Sequence, residues 1–437
     1  MQNKQMTKRN KISFETLGCR YNRLESAEMA YELEQAGYAK AKEGEASDVV
    51  VINSCTVTDR SDAKCRSTIR RVKAKNPEAI VVVTGCYSET NPDEVSKEPG
   101  VDIVVGNSGK FEIGKLLSKL ETDTNPAPQI ASADKKLKVR PVTGMDGRTN
   151  AYIKVQAGCD EVCSFCIVRI ARGKSSSAEG SDVVEQVKRL HESGIKEVVL
   201  SGINLGEYGD GKNKDIAWLL RKLCDETEIA RIRLSSINPN NVTDELINLM
   251  AGSSRICRHL HIPLQSGSDS VLKRMRRPYT AKEYENLLNR LVDKIPAIGL
   301  GADVMVGFPG ETEKEFNETF EIINNVPLMA LHVFGYSLRE GTEAFAMKGV
   351  IPKAIKKERS AKLKNLAQEK GEEFRKRFVG ATLPVLIENT RDNDGHLKGF
   401  SDNYLQVVLD GPDSLINKIV QVKITGSEKE RLTGSPQ

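Results

Sequence analysis

The stretch "CDEVCSFC" places three cysteines, Cys159, Cys163 and Cys166, within residues 159–166. A disulfide takes two thiols, and a structural zinc site usually takes four ligands. A four-iron cluster held by three thiolates keeps one iron open for a substrate or cofactor, which is the logic of a catalytic metal site. The competing reading is a partial zinc site completed by Cys224, Cys257 or a histidine from elsewhere in the chain.

A second set of three is spread more widely. Cys19, Cys55 and Cys86 lie in "TLGCRYN", "INSCTVT" and "TGCYSE", each directly after an apolar run that reads as a strand. In a parallel sheet such strand ends share one edge, so the three thiolates can converge there. The number is again three, and a second cluster with an open iron is the natural reading. Cys65 falls on the following helix and, with Cys224 and Cys257, reads as structural. The start, "MQNKQMTKRNKISFE", lacks the apolar region of a secretory signal, so the nine cysteines are expected to be reduced thiols.

The elements that must position these residues follow from periodicity. "KISFETLG", "DVVVINS", "AIVVVTG" and "VDIVVGN" alternate with helical patterns and read as buried parallel strands of an open α/β sheet domain, residues 10–122. The stretch 121–148 has no periodicity and reads as a linker. Six strand-and-helix units follow, from "AYIKVQAG" to "LHVFGYS", short of the eight that close a barrel, so residues 147–372 are expected to form a partial (β/α)6 barrel. Such barrels carry their chemistry at the strand ends, where "CDEVCSFC" follows the first strand. After a basic helix come strands divided by Gly-, Asn- and Asp-rich turns, which read as a small antiparallel β-barrel at 373–437.

Composition sets wider bounds. A chain of 437 residues exceeds one ordinary core, and 39% hydrophobic with 29% charged residues describes a soluble protein. No window approaches the run of about 18 apolar residues that a membrane span requires, so a cytoplasmic location without membrane association is expected. The net charge of +5 is too small to indicate nucleic-acid binding. Between Pro352 and Gly380, however, stand ten Lys and Arg against four Glu, either a solvated helix face or an RNA contact.

C-x3-C-x2-C with Phe165 before the last cysteine, on the first strand of a six-fold repeat, resembles the radical SAM superfamily. There the open iron chelates S-adenosylmethionine, and one electron cleaves it to methionine and a 5′-deoxyadenosyl radical. With the N-terminal cysteines, "SGINLGEYG", "RLSSINP", "HLHIPLQSGSDSVLKRM", "GADVMVGFPGET" and "FGYSLREGT", the resemblance extends over nearly the whole chain to the methylthiotransferases. The tail resembles a TRAM domain, an RNA-binding barrel. "TLGCRYN" is most similar to members acting on threonylcarbamoyladenosine at tRNA position 37. Other members act on isopentenyladenosine or on a ribosomal protein, and a non-catalytic zinc- and RNA-binding protein is the reading of another class.

The resemblance implies two [4Fe-4S] clusters, one on Cys159, Cys163 and Cys166 and an auxiliary one on Cys19, Cys55 and Cys86. It also implies S-adenosylmethionine as methyl and radical source, the tRNA anticodon loop, an electron donor such as flavodoxin or ferredoxin, and a sulfur donor. Phe165, Gly202 and Asn204 would meet the cofactor, Gly202 by close backbone approach and Asn204 by a hydrogen bond. Ser235 and Gln265, at later strand ends, would hold ribose or substrate. The chain departs from the family at Arg169, where a proline is usual, and in lacking a proline between Ser337 and Arg339. His259 and His261 share a strand face and read as barrel histidines or metal ligands. "KRMRR" (273–277) reads as a solvated turn or a phosphate contact.

Overall fold

The N-terminal sheet is wholly parallel, in the order Ala39–Lys40, Lys11–Thr16, Val49–Ser54, Ile80–Gly85, Ile103–Val104. Its central strands, Val49–Ser54 and Ile80–Gly85, begin with apolar runs buried on both faces; Val51, Ile52 and Val81 to Val83 are all buried. The computed structural model describes residues 10–42, 44–120, 137–140 and 149–437. The basic start and most of the expected linker at 121–148 lie outside these.

Six parallel strands follow in sequence order: Asn150–Lys154, Glu197–Ser201, Arg231–Leu234, His259–His261, Gly299–Val306 and Ala330–Gly335. The first three and the last three form two sheets, linked by single pairings of Ile232 with Ile256 and Ser236 with His261. Alternation assigns the faces. Ile153, Val198, Leu200, Ile232, Leu234, Leu260, Val304 and Val306 enter the helix-covered core, and Leu331 and Val333 pack against it. Tyr152, Lys154, Glu197, Val199, Arg231, Arg233, His259, His261, Asp303, Met305, His332 and Phe334 therefore point to the lumen. Helix starts are set by local chemistry, as at Thr312, where the hydroxyl accepts from the Glu315 amide and the Glu315 carboxylate accepts in return.

The long helix Lys353–Lys376 belongs to two cores: Leu363 and Leu366 enter the barrel's, and Phe374 enters that of the C-terminal unit. That unit is a closed barrel of five strands. Its closing pair, Gln406–Leu409 with Arg431–Pro436, is parallel, where the sequence pattern led us to expect antiparallel pairing throughout. It docks under the six-stranded barrel, at the strand starts. Arg231 donates to the carbonyls of Phe400 and Pro384, and Arg233 to those of Asp402 and Ser401. No helix among the described residues is long and apolar enough to cross a membrane.

Candidate metal centres at the mouth of the barrel

The loop carrying Cys159, Cys163 and Cys166 leaves the first barrel strand through Gly158, whose φ of +69° only glycine adopts easily. A Cβ there would stand 2.0 Å from the Lys174 carbonyl oxygen. The loop is then pinned from outside. Ser164 donates its amide to Met275 and its hydroxyl to the Arg274 carbonyl, and its own carbonyl accepts from Ala344. Phe165 lies edge-on to Phe308 at 6.5 Å, within an apolar cluster.

Two charged groups from distant segments reach the thiols. Arg277 Nη1 lies 3.1 Å from Cys163 Sγ, while its Nη2 donates to Asn238 Oδ1 at 2.9 Å. Glu207 Oε1 lies 3.3 Å from Cys159 Sγ, and its Oε2 accepts the Asp160 amide at 2.9 Å. Arg169 donates to the Asp160 carbonyl, closing the loop where the family usually has proline.

In the N-terminal domain, Cys19 is exposed at the start of the helix Arg20–Gln35, and Cys55 and Cys86 are buried beyond their strands. Gly18 (φ +87°) lets the Cys19 loop close over Cys55; a Cβ there would stand 2.6 Å from Cys55 Sγ. Burial raises the Cys55 thiol pKa, and the neighbouring Cys86 and Cys19 add to the rise. In the other triad, burial and Cys163 push Cys166 up to about 11, against Arg277. Burial, then Glu207, then Cys166 raise Cys159 further. Each set is a group of three free thiols carried just beyond strand ends. Three such thiols are the donor set an iron–sulfur centre takes, so the residues of both sets fit one. Cys65 and Cys257 are sealed in cores, both raised to about 12 by burial.

Residues 11–106 match the Uncharacterized protein family UPF0004, 153–323 the Radical SAM superfamily and 376–436 the TRAM domain. The threonylcarbamoyladenosine tRNA methylthiotransferase MtaB of Bacillus subtilis (strain 168) is 39% identical, with 94% of this chain and 93% of that protein covered. Its namesake in Aquifex aeolicus (strain VF5) is 38% identical, with 95% and 100% covered. The chain belongs to the MtaB-type methylthiotransferases of the radical SAM superfamily. A tRNA-2-methylthio-N(6)-dimethylallyladenosine synthase of Clostridium tetani (strain Massachusetts / E88) is 31% identical, with 96% and 95% covered. Among solved structures, the radical S-adenosylmethionine methyltransferase TsrM of Kitasatospora setae shares the fold, with a TM-score of 0.59 at 16% identity, covering 88% of this chain and 79% of that one.

In this methylthiotransferase the residues expected to meet the cofactor differ in how far their side chains are already bonded. Asn204 is 3% exposed and its amide is consumed internally: Nδ2 donates to Glu207 and Asn241, and Oδ1 accepts from Gly206 and Asn238. It shapes the turn and aims Glu207. Gly202 packs on Gln156, where a Cβ would come within 2.8 Å of Oε1. Buried Gln156, which the sequence did not single out, accepts the amides of Ile203 and Asn204 and donates to the Gly158 carbonyl, joining this turn to the cysteine loop. Ser235 Oγ accepts the Gly202 amide at 3.3 Å. Gln265 sits half-buried at φ +66°, with no side-chain hydrogen bond to another described residue.

Within "KRMRR", Lys273 and Arg276 are exposed and the other two arginines are not. Arg274 pairs with Glu315, Arg276 with Glu343, and Arg277 enters the cysteine site. His261 is joined by two residues the sequence did not flag. His261 Nε2 and His332 Nδ1 approach the same Asp303 oxygen at 3.0 and 3.2 Å. Period two placed all three on lumen faces, but nothing local tied them together.

Proposed function

We propose that the chain converts N6-threonylcarbamoyladenosine at tRNA position 37 to its 2-methylthio derivative. The observation carrying this is the match, over at least nine-tenths of the chain, to three relatives bearing that activity in their names at 36–39% identity, above dimethylallyladenosine synthases at 31–34%. Cys159, Cys163 and Cys166 would hold the [4Fe-4S] cluster that binds S-adenosylmethionine. Cys19, Cys55 and Cys86 would hold a second cluster that carries sulfur. When bound, these groups supply methyl, sulfur and the radical that activates carbon 2 of the adenine.

The chain's own residues position the chemistry. Arg277 holds the Cys163 sulfur and places positive charge beside it, which would make the bound centre easier to reduce. Glu207 fixes the opposite corner of the loop through Cys159 and the Asp160 amide. Phe165, anchored on Phe308, and the strained Gln265 face the mouth, where Gln265 would meet the cofactor or substrate ribose. An anticodon-loop base is single-stranded and can be splayed into such a mouth, which a paired base cannot. The reaction calls for an external electron donor, such as flavodoxin or ferredoxin, and for a sulfur donor, and its setting is cytoplasmic.

The test is an anaerobic reconstituted reaction on threonylcarbamoylated, isopentenylated and unmodified tRNA, read by nucleoside mass spectrometry. Methylthiolation of the first, with little of the others, is expected. Preference for the isopentenylated tRNA overturns the substrate reading. Stoichiometric zinc without iron after anaerobic purification overturns the enzyme reading.

A further inference from the structure

The lumen is covered unequally. The N-terminal helix Arg20–Gln35 closes the inner face of the first two strands, with Leu24 on Tyr152 and Val199 and Glu28 paired to Lys154. The last strand is left open: the His332 side chain is 63% exposed and Phe334 is 48% exposed. A ring exposed on a lumen face offers a surface for stacking. Its register neighbour Met305 packs against the same apolar cluster as Phe165, which lies between Cys163 and Cys166. Phe334 is therefore at the level of the cysteine loop, and His332 lies one pleat deeper, opposite Asp303.

His332 is oriented from behind. Its Nδ1 is held by Asp303, whose second imidazole partner is His261, and the two rings stack at 5.2 Å. Nε2 is then the polar atom offered to a ligand. The charge deeper in the lumen is positive. At the floor, Arg231 and Arg233 share the single carboxylate of Glu197, and Arg20 stands over the Tyr404 ring. Burial, Arg233, His261 and Arg20 together hold the His259 imidazole neutral. A divalent cation could use the same three atoms of His261, Asp303 and His332, which lie within 4.8 Å of one another, but it would add charge to a floor already in positive surplus.

We propose that this open half of the lumen is the substrate-reading subsite, with Phe334 stacking the extruded adenine and His332, its Nδ1–H given to Asp303, accepting at Nε2 from a hydroxyl or urea N–H of the threonylcarbamoyl group on N6. The inference rests on the proposed function and deepens it. Base–aromatic stacking tolerates any base, so Phe334 would supply affinity. A urea N–H or hydroxyl reaching His332 would supply discrimination, because an adenosine lacking them leaves the histidine unpaired.

The experiment measures affinity of anaerobically reconstituted holoprotein for anticodon stem–loop RNAs carrying threonylcarbamoyladenosine or plain adenosine, by fluorescence anisotropy. Iron content serves as the folding control. In His332→Ala the preference for the modified RNA should fall about fivefold, the loss of one hydrogen bond, with His332→Gln restoring part of it. Phe334→Ala should weaken both RNAs alike, by about tenfold. A wild-type preference that survives His332→Ala, or unchanged affinity in Phe334→Ala, overturns the inference. So does a zinc or iron ion beyond the clusters that is lost in His332→Ala. Wild-type protein that shows no preference between the two RNAs overturns the proposed function instead.

Discussion

Arg172, on the helix that follows Cys166, forms a two-pronged ion pair with Glu25 of the N-terminal domain, at 3.0 and 3.1 Å. Its Nη2 also donates to Asn22 Oδ1 at 2.7 Å, and Asn22 Nδ2 donates to the Leu17 and Ser54 carbonyls, which precede Cys19 and Cys55. Burial works against the guanidinium's charge, but Cys86 and Glu25 hold it firmly protonated. One side chain thus joins the loops of both cysteine triads.

Arg172→Lys keeps the charge but loses the fork. The ratio of methylthiolated product to 5′-deoxyadenosine should fall at least about tenfold, the order expected when reacting groups are misplaced by a fraction of an ångström. Iron content should hold. Chromatography of both products checks this, and an equal fall in both would contradict a coupling role. Arg172→Gln would leave Glu25 buried with Lys110 and the more distant Lys154 and cost about 3–5 kcal/mol of stability.

The two triads should separate cleanly. Replacing Cys159, Cys163 and Cys166 by Ala should abolish S-adenosylmethionine cleavage and remove about half the iron. Replacing Cys19, Cys55 and Cys86 should remove a similar share, retain cleavage and eliminate methylthiolation, because the thiols lie on different domains. Full methylthiolation by the second variant would rule out two clusters.

Acid should unfold the protein through its paired carboxylates. The hydrogen bond from Arg274 lowers Glu315 from 4.5 to about 2, and Arg172 and Lys110 overcome burial to depress Glu25. A carboxylate depressed in the folded state stabilises above its unfolded pKa, and that stability is lost as pH falls through the folded value. Melting temperature should therefore drop between about pH 4.5 and 2, and Glu315→Gln should flatten the slope. Glu28, raised by burial despite Lys154, acts in the opposite sense. A wild-type slope in Glu315→Gln would refute the assignment.

RNA phosphate contacts should map to the long helix more than to the C-terminal barrel. Residues 380–437 carry six Lys and Arg against eight Asp and Glu, whereas Lys353, Lys357 and Lys364 are exposed at helical spacing on one face. Arg359 and Lys370 are spent within the protein, on Glu311 and on the Asn324 carbonyl. Replacing the three exposed lysines by Ala should weaken tRNA binding and reduce its dependence on log salt by about 0.7–0.9 per lost phosphate contact. An unchanged salt slope would move the contact elsewhere. Deleting the barrel is a poorer test, since it strips Arg231 and Arg233 of their carbonyl partners.

The sequence by itself determined the strands, their lumen and core faces, and the placement of six cysteines at strand ends. These are local properties: period two fixes which way Asp303 or His332 points, and the end of a parallel strand is an edge position whatever packs around it. Only the tertiary structure decided what meets those side chains. Arg277 at Cys163, Glu207 at Cys159, Arg172 on Glu25 and the shared carboxylate of Asp303 each join segments far apart in the chain. Asn204 shows the same limit: its type marked it for the cofactor, while packing bonded its side-chain amide to Glu207 on its own turn and to Asn238 and Asn241 on the next. A residue's type and period state what it can bond and which face it occupies; its partner is chosen by packing, through contacts that leave no periodic trace along the chain.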